Sequence, residues 1–259
     1  MALLDIHQLS VTFGGLQAVN ALSLELLPGH IHGLIGPNGA GKTTVFNVIT
    51  RIYEANAGSV SLLGRDVLAL NPHEVAAAGI ARTFQNIELF PNLSVLDNVL
   101  AGHHVHIRYG IVASGLATRS VRREEARARN EALQLLEVMK LENVANSLAA
   151  SLPFGQQRML ELARAVAVRP KLLLLDEPAA GMNSRESAEL NELLMLIRKE
   201  FSITILLVEH DMRVVMNICD RVTVMQHGQK IFEGSPEEVK SNPRVIEAYL
   251  GTKRSDPPR

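Results

Sequence analysis

Disulfide-forming thiols, tryptophan, long apolar runs and an excess of either charge are all missing from this 259-residue chain. It has one cysteine, Cys219, no tryptophan, and only 4% aromatic residues. A lone cysteine closes no internal disulfide and offers no thiolate cluster for structural zinc, so a reducing compartment is expected. The longest apolar runs, near residues 172–175 and 203–208, have the length of strands. They fall far short of the roughly 20 residues that cross a bilayer. The N-terminal MALLDIHQLS lacks a basic stretch and places Asp5 where a secretory signal needs unbroken apolar residues. Lys plus Arg number 26 and Asp plus Glu 27, a formal net charge of -1. That balance argues against a dedicated nucleic-acid binder and against global attraction to anionic lipid.

What remains is 47% apolar and 20% charged, the make-up of a folding chain long enough for one large α/β domain or two smaller ones. Strands are expected at residues 3–13, 21–27, 30–35 and 59–63, with a helix at 42–50 between them, so this part reads as partly antiparallel. From residue 71 the pattern turns helical. Asn71 is read as an N-cap with Pro72 at the first helical position, and further helices are expected at 94–101 and 119–140. The stretch 86–151 reads as a helical subdomain inserted into an α/β core. After it come a strand at 171–176, a helix at 184–201, a strand at 203–209, a helix at 211–218 and a strand at 221–226, an order that implies parallel strands with helical crossovers. His227-Gly228 reads as a hairpin turn and Ser235-Pro236-Glu237-Glu238 as a capped helix start, with a disordered tail at 252–259.

The chemistry is concentrated in two segments. Gly36-Pro37-Asn38-Gly39-Ala40-Gly41-Lys42-Thr43 matches G-x-x-x-x-G-K-S/T, follows an apolar strand and opens a helix. Glycines at 36, 39 and 41 let successive N–H groups converge on one anion, the helix N-terminus adds its dipole, Lys42 can reach phosphate oxygens and the Thr43 hydroxyl can bind Mg²⁺. A Lys-Thr pair suits a metal-bound triphosphate better than a nicotinamide dinucleotide. In Leu172-Leu173-Leu174-Leu175-Asp176-Glu177, four apolar residues make a buried parallel strand. Asp176 then sits at its carboxyl end, placed for the Mg²⁺ shell, with Glu177 placed to orient an attacking water.

With three further landmarks in order, the sequence resembles the ATP-binding cassette (ABC) ATPases from Phe13 to about Gly251. The landmarks are Gln85 in Arg82-Thr83-Phe84-Gln85, the segment Leu152-Pro153-Phe154-Gly155-Gln156-Gln157-Arg158 leading a helix, and Glu209-His210-Asp211 after a strand. The resemblance implies a P-loop NTPase core in a single cassette, residues 1–251, with ATP and Mg²⁺ as cofactors. It implies that Gln85 contacts Mg²⁺ and the water, that His210 holds the γ-phosphate and organises Glu177, and that Thr44 joins the phosphate loop. Phe13 is implied to stack on adenine, against the alternative of a core strand residue. It further implies that Leu152, Gly155 and Gln156 bind ATP held by a second cassette, so that hydrolysis needs a homodimer or a heterodimer with a sister ATPase. Pro153, Phe154 and Asn183 depart from the general pattern, which has Ser, Gly and Asp there. Together with Tyr249-Leu250-Gly251 they resemble the branch that powers branched-chain amino acid uptake, as does the helical insert around 102–130.

That branch implies a cytoplasmic subunit, peripheral on the inner face of the membrane, working with integral permease subunits and indirectly with a solute-binding protein. Urea or amide uptake and lipopolysaccharide-type export stay open, as does an ABC protein acting on ribosomes or DNA, although one cassette without sustained heptads fits that poorly. A GTPase or phosphotransferase would lack its own motifs here. His103, His104 and His106 are expected to form a solvated polar patch rather than a metal site, and Cys219 to be buried core. Arg119, Arg122, Arg123, Arg127 and Arg129, alternating with Glu124, Glu125 and Glu131, are expected to form a salt-bridged solvated face.

Overall fold

Period-two patterning in the first sixty-odd residues builds an antiparallel layer. In the computed structural model, which describes residues 1–106 and 119–250, β1 (Leu4–Phe13), β2 (Leu16–Leu26), β4 (Ala57–Leu62) and β5 (Arg65–Asp66) form a sheet in the order β2-β1-β4-β5. A second sheet contains β3 (Ile31–Ile35), β6 (Ile80–Arg82), β7 (Leu172–Asp176), β8 (Thr204–Val208), β9 (Arg221–Gln226) and β10 (Gln229–Gly234), in the order β10-β9-β3-β8-β7-β6. All its neighbours run parallel except β10, which returns antiparallel to β9.

The apolar strands bury both faces, which is why they read as unbroken hydrophobic runs. Leu172, Leu174, Leu206 and Val208 point into one core with the antiparallel layer and α1 (Lys42–Ile49). Leu173, Leu175, Ile205 and Leu207 point into the other, with the helices. These are α3 (Val95–His103), α4 (Arg119–Val138), α5 (Phe154–Ala167), α6 (Ser184–Glu200), α7 (Met212–Ile218), α8 (Pro236–Ser241) and α9 (Pro243–Leu250). Val95 and Leu136 of the helical insert share one continuous core with Leu160 of α5 and this sheet face.

Several expectations need correction. The short α2 (Glu74–Ala77) starts at Glu74, not Pro72. Asn71 does not cap it; instead its N–H and Nδ2 both donate to Glu74 Oε2, at 2.8 and 3.0 Å, closing a turn ahead of the helix. His103 is buried, not solvated, with Nε2 3.8 Å from a Glu131 carboxylate oxygen. His104 is exposed, and the His106 side chain lies outside the described residues, as does the 252–259 tail. Glu131 also binds Arg127 at 3.0 Å and Arg169, so the charged face of α4 is tied to the C-terminal end of α5. Cys219 is buried, and burial pushes its thiol up to about 12.

The turn at His227-Gly228 has positive φ at both residues (48° and 77°), the geometry of a tight hairpin. It also braces the loop after β3: Gly228 N–H donates to Ala40 O at 3.1 Å, and Asn20 N–H donates to Gly228 O at 2.8 Å.

His32 in β3 is buried 2.9 Å from Thr223 Oγ1 in β9. Burial, aided by Arg221, Lys230 and His30 and opposed by Glu233, lowers its pKa to about 4. The unfolded chain, with an ordinary imidazole near 6.5, takes up the proton first, so stability is full above that value and falls as the pH drops toward 4. In urea unfolding across that window, wild type should lose up to about 3 kcal/mol. His32→Gln should lose clearly less, and equal losses in both proteins would contradict the assignment.

Candidate functional site

The register of β3, β8 and β7 sets Leu34 beside Val208 and Val208 beside Asp176, so three strands end level at one sheet edge. Ligand sites in open α/β sheets lie at such carboxyl ends. From β3 the chain enters the phosphate-binding loop, from β7 it continues to Glu177, and from β8 to Glu209 and His210.

The loop backbone needs its glycines. Gly36 has φ 151°, and a Cβ there would lie 2.1 Å from Met225 O; Gly41 has φ 100°, and a Cβ would lie 2.4 Å from Ala18 O. Gly41 is the N-cap of α1 and makes no side-chain capping bond, so the first-turn N–H groups face outward without a side-chain acceptor. Asn38, Gly39, Ala40, Gly41, Lys42, Thr43 and Thr44 line a cleft of about 430 Å³ together with Glu177, His210 and His227. Gly36 and Pro37 serve the loop from behind: their carbonyls accept from Lys42 Nζ at 2.7 and 3.1 Å. Burial lowers the Lys42 ammonium from its ordinary value, against the pull of Glu177 and Asp176.

Glu177 occupies the centre. Its backbone is left-handed, φ 50°, which is unusual for a residue with a side chain, and its N–H donates to Val208 O at 2.9 Å. Its carboxylate lies between two of the expected partners: Gln85 Nε2 donates to Oε2 at 3.0 Å, and His210 Nε2 is 2.9 Å from Oε1. A carboxylate steered at both oxygens and lining the cleft of the phosphate loop can orient a water for in-line attack.

Residues that composition and spacing did not single out hold these groups. Glu209 is buried, and its carboxylate accepts from the N–H groups of Ala179 (2.8 Å), His210 (3.0 Å) and Asp211 (3.4 Å). Burial raises its pKa, while those three bonds pull it down. Arg158 in α5 donates to Phe84 O and Gln85 O, both at 2.8 Å, and to Glu161 at 2.9 Å, anchoring the segment that carries Gln85. Neither role has a local sequence signal, because each charge meets its partners only across distant segments of the folded chain.

Asp176 is buried and paired with Arg82 at 2.8 Å. The hydroxyl and carboxylate oxygens of Thr43 and Asp176, with the amide of Gln85, are the hard donors Mg²⁺ prefers. Among the described residues no group of three or more His, Cys, Asp or Glu could hold a metal unaided. A cation here therefore needs further oxygens, which a bound phosphate supplies, and the site fits a metal that arrives with a nucleotide.

The remaining expected residues are not among those lining this cleft. Leu152 is buried. Gly155 and Gln156 line a separate hollow of about 320 Å³ with Pro153, Met159, Met182 and Glu186. Pro153 is the N-cap of α5 and, like Gly41, makes no side-chain capping bond. By contrast α3, α6, α7 and α8 are all capped by a side chain, from Ser94, Asn183, Asp211 and Ser235. Asn183 makes a full capping box with Glu186, a task Asn performs as well as Asp. Phe13 is not a core residue: it is 43% exposed and meets Tyr53 edge-on, with ring centroids 5.0 Å apart.

Comparison with known proteins places the chain in a family. The ABC transporter family model matches residues 19–180, and a model of branched-chain amino acid ATP-binding cassette transporters matches residues 229–254. The chain is 42% identical over 249 residues to the high-affinity branched-chain amino acid transport ATP-binding protein BraF of Pseudomonas aeruginosa, covering 96% of this chain and 98% of that protein. It is 44% identical, with the same coverage, to LivG of Escherichia coli K12. Among solved structures, the ADP conformation of MJ1267, an ATP-binding cassette of an ABC transporter, superposes with a TM-score of 0.84 at 31% identity, covering 97% of this chain and 99% of that one. A nucleotide-free cassette gives 0.83 at 32% identity. Likeness of this extent along almost the whole length makes the chain a member of the ABC transporter family, an ABC ATPase.

Proposed function

We propose that this ATPase powers an importer of branched-chain amino acids, as one of a pair of cassettes that meet permease subunits at the inner face of a membrane. What supports the cargo is the match of residues 229–254 to a branched-chain amino acid cassette model, beside relatives named for that transport. No helix among the described residues is long and apolar enough to cross a membrane, and in this reading the pore belongs to permease subunits.

The observation that carries the mechanism is the Glu177 carboxylate held between Gln85 and His210. In this reading the loop from Asn38 to Thr44 receives the ATP phosphates, and Lys42 leaves the Gly36 and Pro37 carbonyls to meet them. Thr43, Asp176 and Gln85 would hold Mg²⁺, which would neutralise phosphate charge. Glu177 orients the water, His210 meets the γ-phosphate, and Phe13, exposed beside Tyr53, offers its ring to adenine. Leu152, Gly155 and Gln156, at the uncapped start of α5 and away from this cleft, serve the ATP of the partner cassette. Permease contact falls on residues 86–94 of the helical insert, residues 86–151. There Ala149 N–H donates to Leu93 O at 3.0 Å, leaving Phe90, Leu93 and Leu148 exposed as an apolar edge.

Glu177→Gln keeps the shape and removes the charge. Steady-state phosphate release should fall by roughly 10²-fold or more with ATP affinity retained; turnover within a few-fold of wild type would remove Glu177 from this role. Cargo is tested by purifying the chain with its membrane subunits, reconstituting them with the solute-binding partner and following labelled solute. ATP-dependent uptake of leucine is expected, whereas uptake of urea without leucine would contradict the assignment.

A further inference from the structure

Arg82, the last residue of β6, has no part in the roles above, yet its side chain is only 7% exposed and joins three elements of the site. One guanidinium nitrogen donates to Asp176 Oδ2 at 2.8 Å. The other donates to Asn47 Oδ1 in α1 at 2.6 Å and to Thr50 Oγ1 at 3.4 Å. Its Cζ lies 5.4 Å from the Phe46 ring centroid and 5.0 Å from that of Phe84, one residue before Gln85. Its Nε is buried with no acceptor, so the side chain is held by two aromatic faces and by its terminal nitrogens alone.

Among the described residues Arg82 is the sole hydrogen-bond partner of the Asp176 carboxylate. A buried carboxylate next to a fixed unit cation presents little net negative charge to a second cation, and in a poorly screened site the two positive charges oppose each other. We propose that Arg82 is a positioning residue that sets the strength of Mg²⁺ binding: it holds one oxygen of Asp176 and competes with the metal for that carboxylate. The inference rests on the proposed placement of Asp176 beside the metal. It gives Arg82 the opposite sign of effect from an ordinary structural partner, because removing it tightens the metal site. A purely structural role would instead leave Asp176 misplaced and the metal weaker.

The test reads binding, not turnover. Affinity for mant-ADP is measured in excess Mg²⁺ and in EDTA for wild type, Arg82→Gln, Arg82→Lys and Asp176→Asn, and the ratio of the two affinities is the metal dependence. Arg82→Gln, which keeps a donor without the charge, should raise that ratio about tenfold, and Arg82→Lys, which restores the charge, should return it to within about twofold of wild type. An unchanged or lower ratio in Arg82→Gln, with Asp176→Asn clearly reduced, overturns the inference while leaving the metal site in place. An unchanged ratio in Asp176→Asn removes the metal-site reading itself. Should Arg82→Gln fail to fold, nitrogen NMR of the wild-type guanidinium decides. The Arg82 resonance, assigned with Arg82→Lys, should shift when Mg²⁺ is added to the ADP-bound protein, and an unmoved resonance overturns the proposal.

Discussion

The site depends on one carboxylate being held at both oxygens. Glu177 follows a buried strand, turns through a left-handed backbone conformation and places its side chain between Gln85 and His210. None of these three positions is set locally. The register of β7 on β8 fixes where Glu177 emerges, and the Glu177 N–H closes onto Val208 O of the neighbouring strand. Buried Glu209 folds the following turn around its own carboxylate and so sets His210, while Arg158, reaching from α5, sets Gln85. The strain at Glu177 persists because the surrounding sheet and these two buried charges over-determine it.

The starts of α1 and α5 open on different surroundings. α1 and α5 both lack a side-chain cap, so their first-turn N–H groups remain available to a phosphate. The start of α1 opens on the cleft with Glu177 and His210, and the start of α5 on a hollow lined by Met159, Met182 and Glu186. On the proposed reading these are the two halves of a composite site, completed when a second cassette approaches. The departures at Pro153 and Asn183 fit that arrangement. Pro153 fixes the backbone entering α5 without adding a side-chain acceptor, and Asn183 caps α6. Phe154 packs where a side chain at Gly181 would touch its ring, linking the start of α5 to the loop before α6.

Much of this was legible in the amino-acid order because the chemistry is local. Gly36 to Thr43 announces a phosphate loop by residue type alone, and Leu172 to Asp176 announces a buried strand ending in an acid. The long helices and parallel strands followed from periodicity. What stayed hidden depends on partners far along the chain. Arg82 meets Asp176 and Arg158 meets Gln85 only once β6, β7 and α5 are assembled, so neither charge reads as buried beforehand. β6 itself is three residues long, too short to show a period. His103 was misplaced for the same reason: its polarity suggested solvent, whereas α4 and its Glu131 cover it. The capping of α2 failed because a glutamate three residues on drew Asn71 into a turn.

If Gln85 and His210 act through the shared Glu177 carboxylate, single-turnover ATP hydrolysis in a double-mutant cycle reads out their coupling. Gln85→Ala and His210→Ala are measured separately and together in the assembled transporter. Groups that act as a unit are strongly non-additive, so the double variant should be no slower than about the slower single variant. If the two rate losses instead multiply in full, Gln85 and His210 act independently and Glu177 is not their common point.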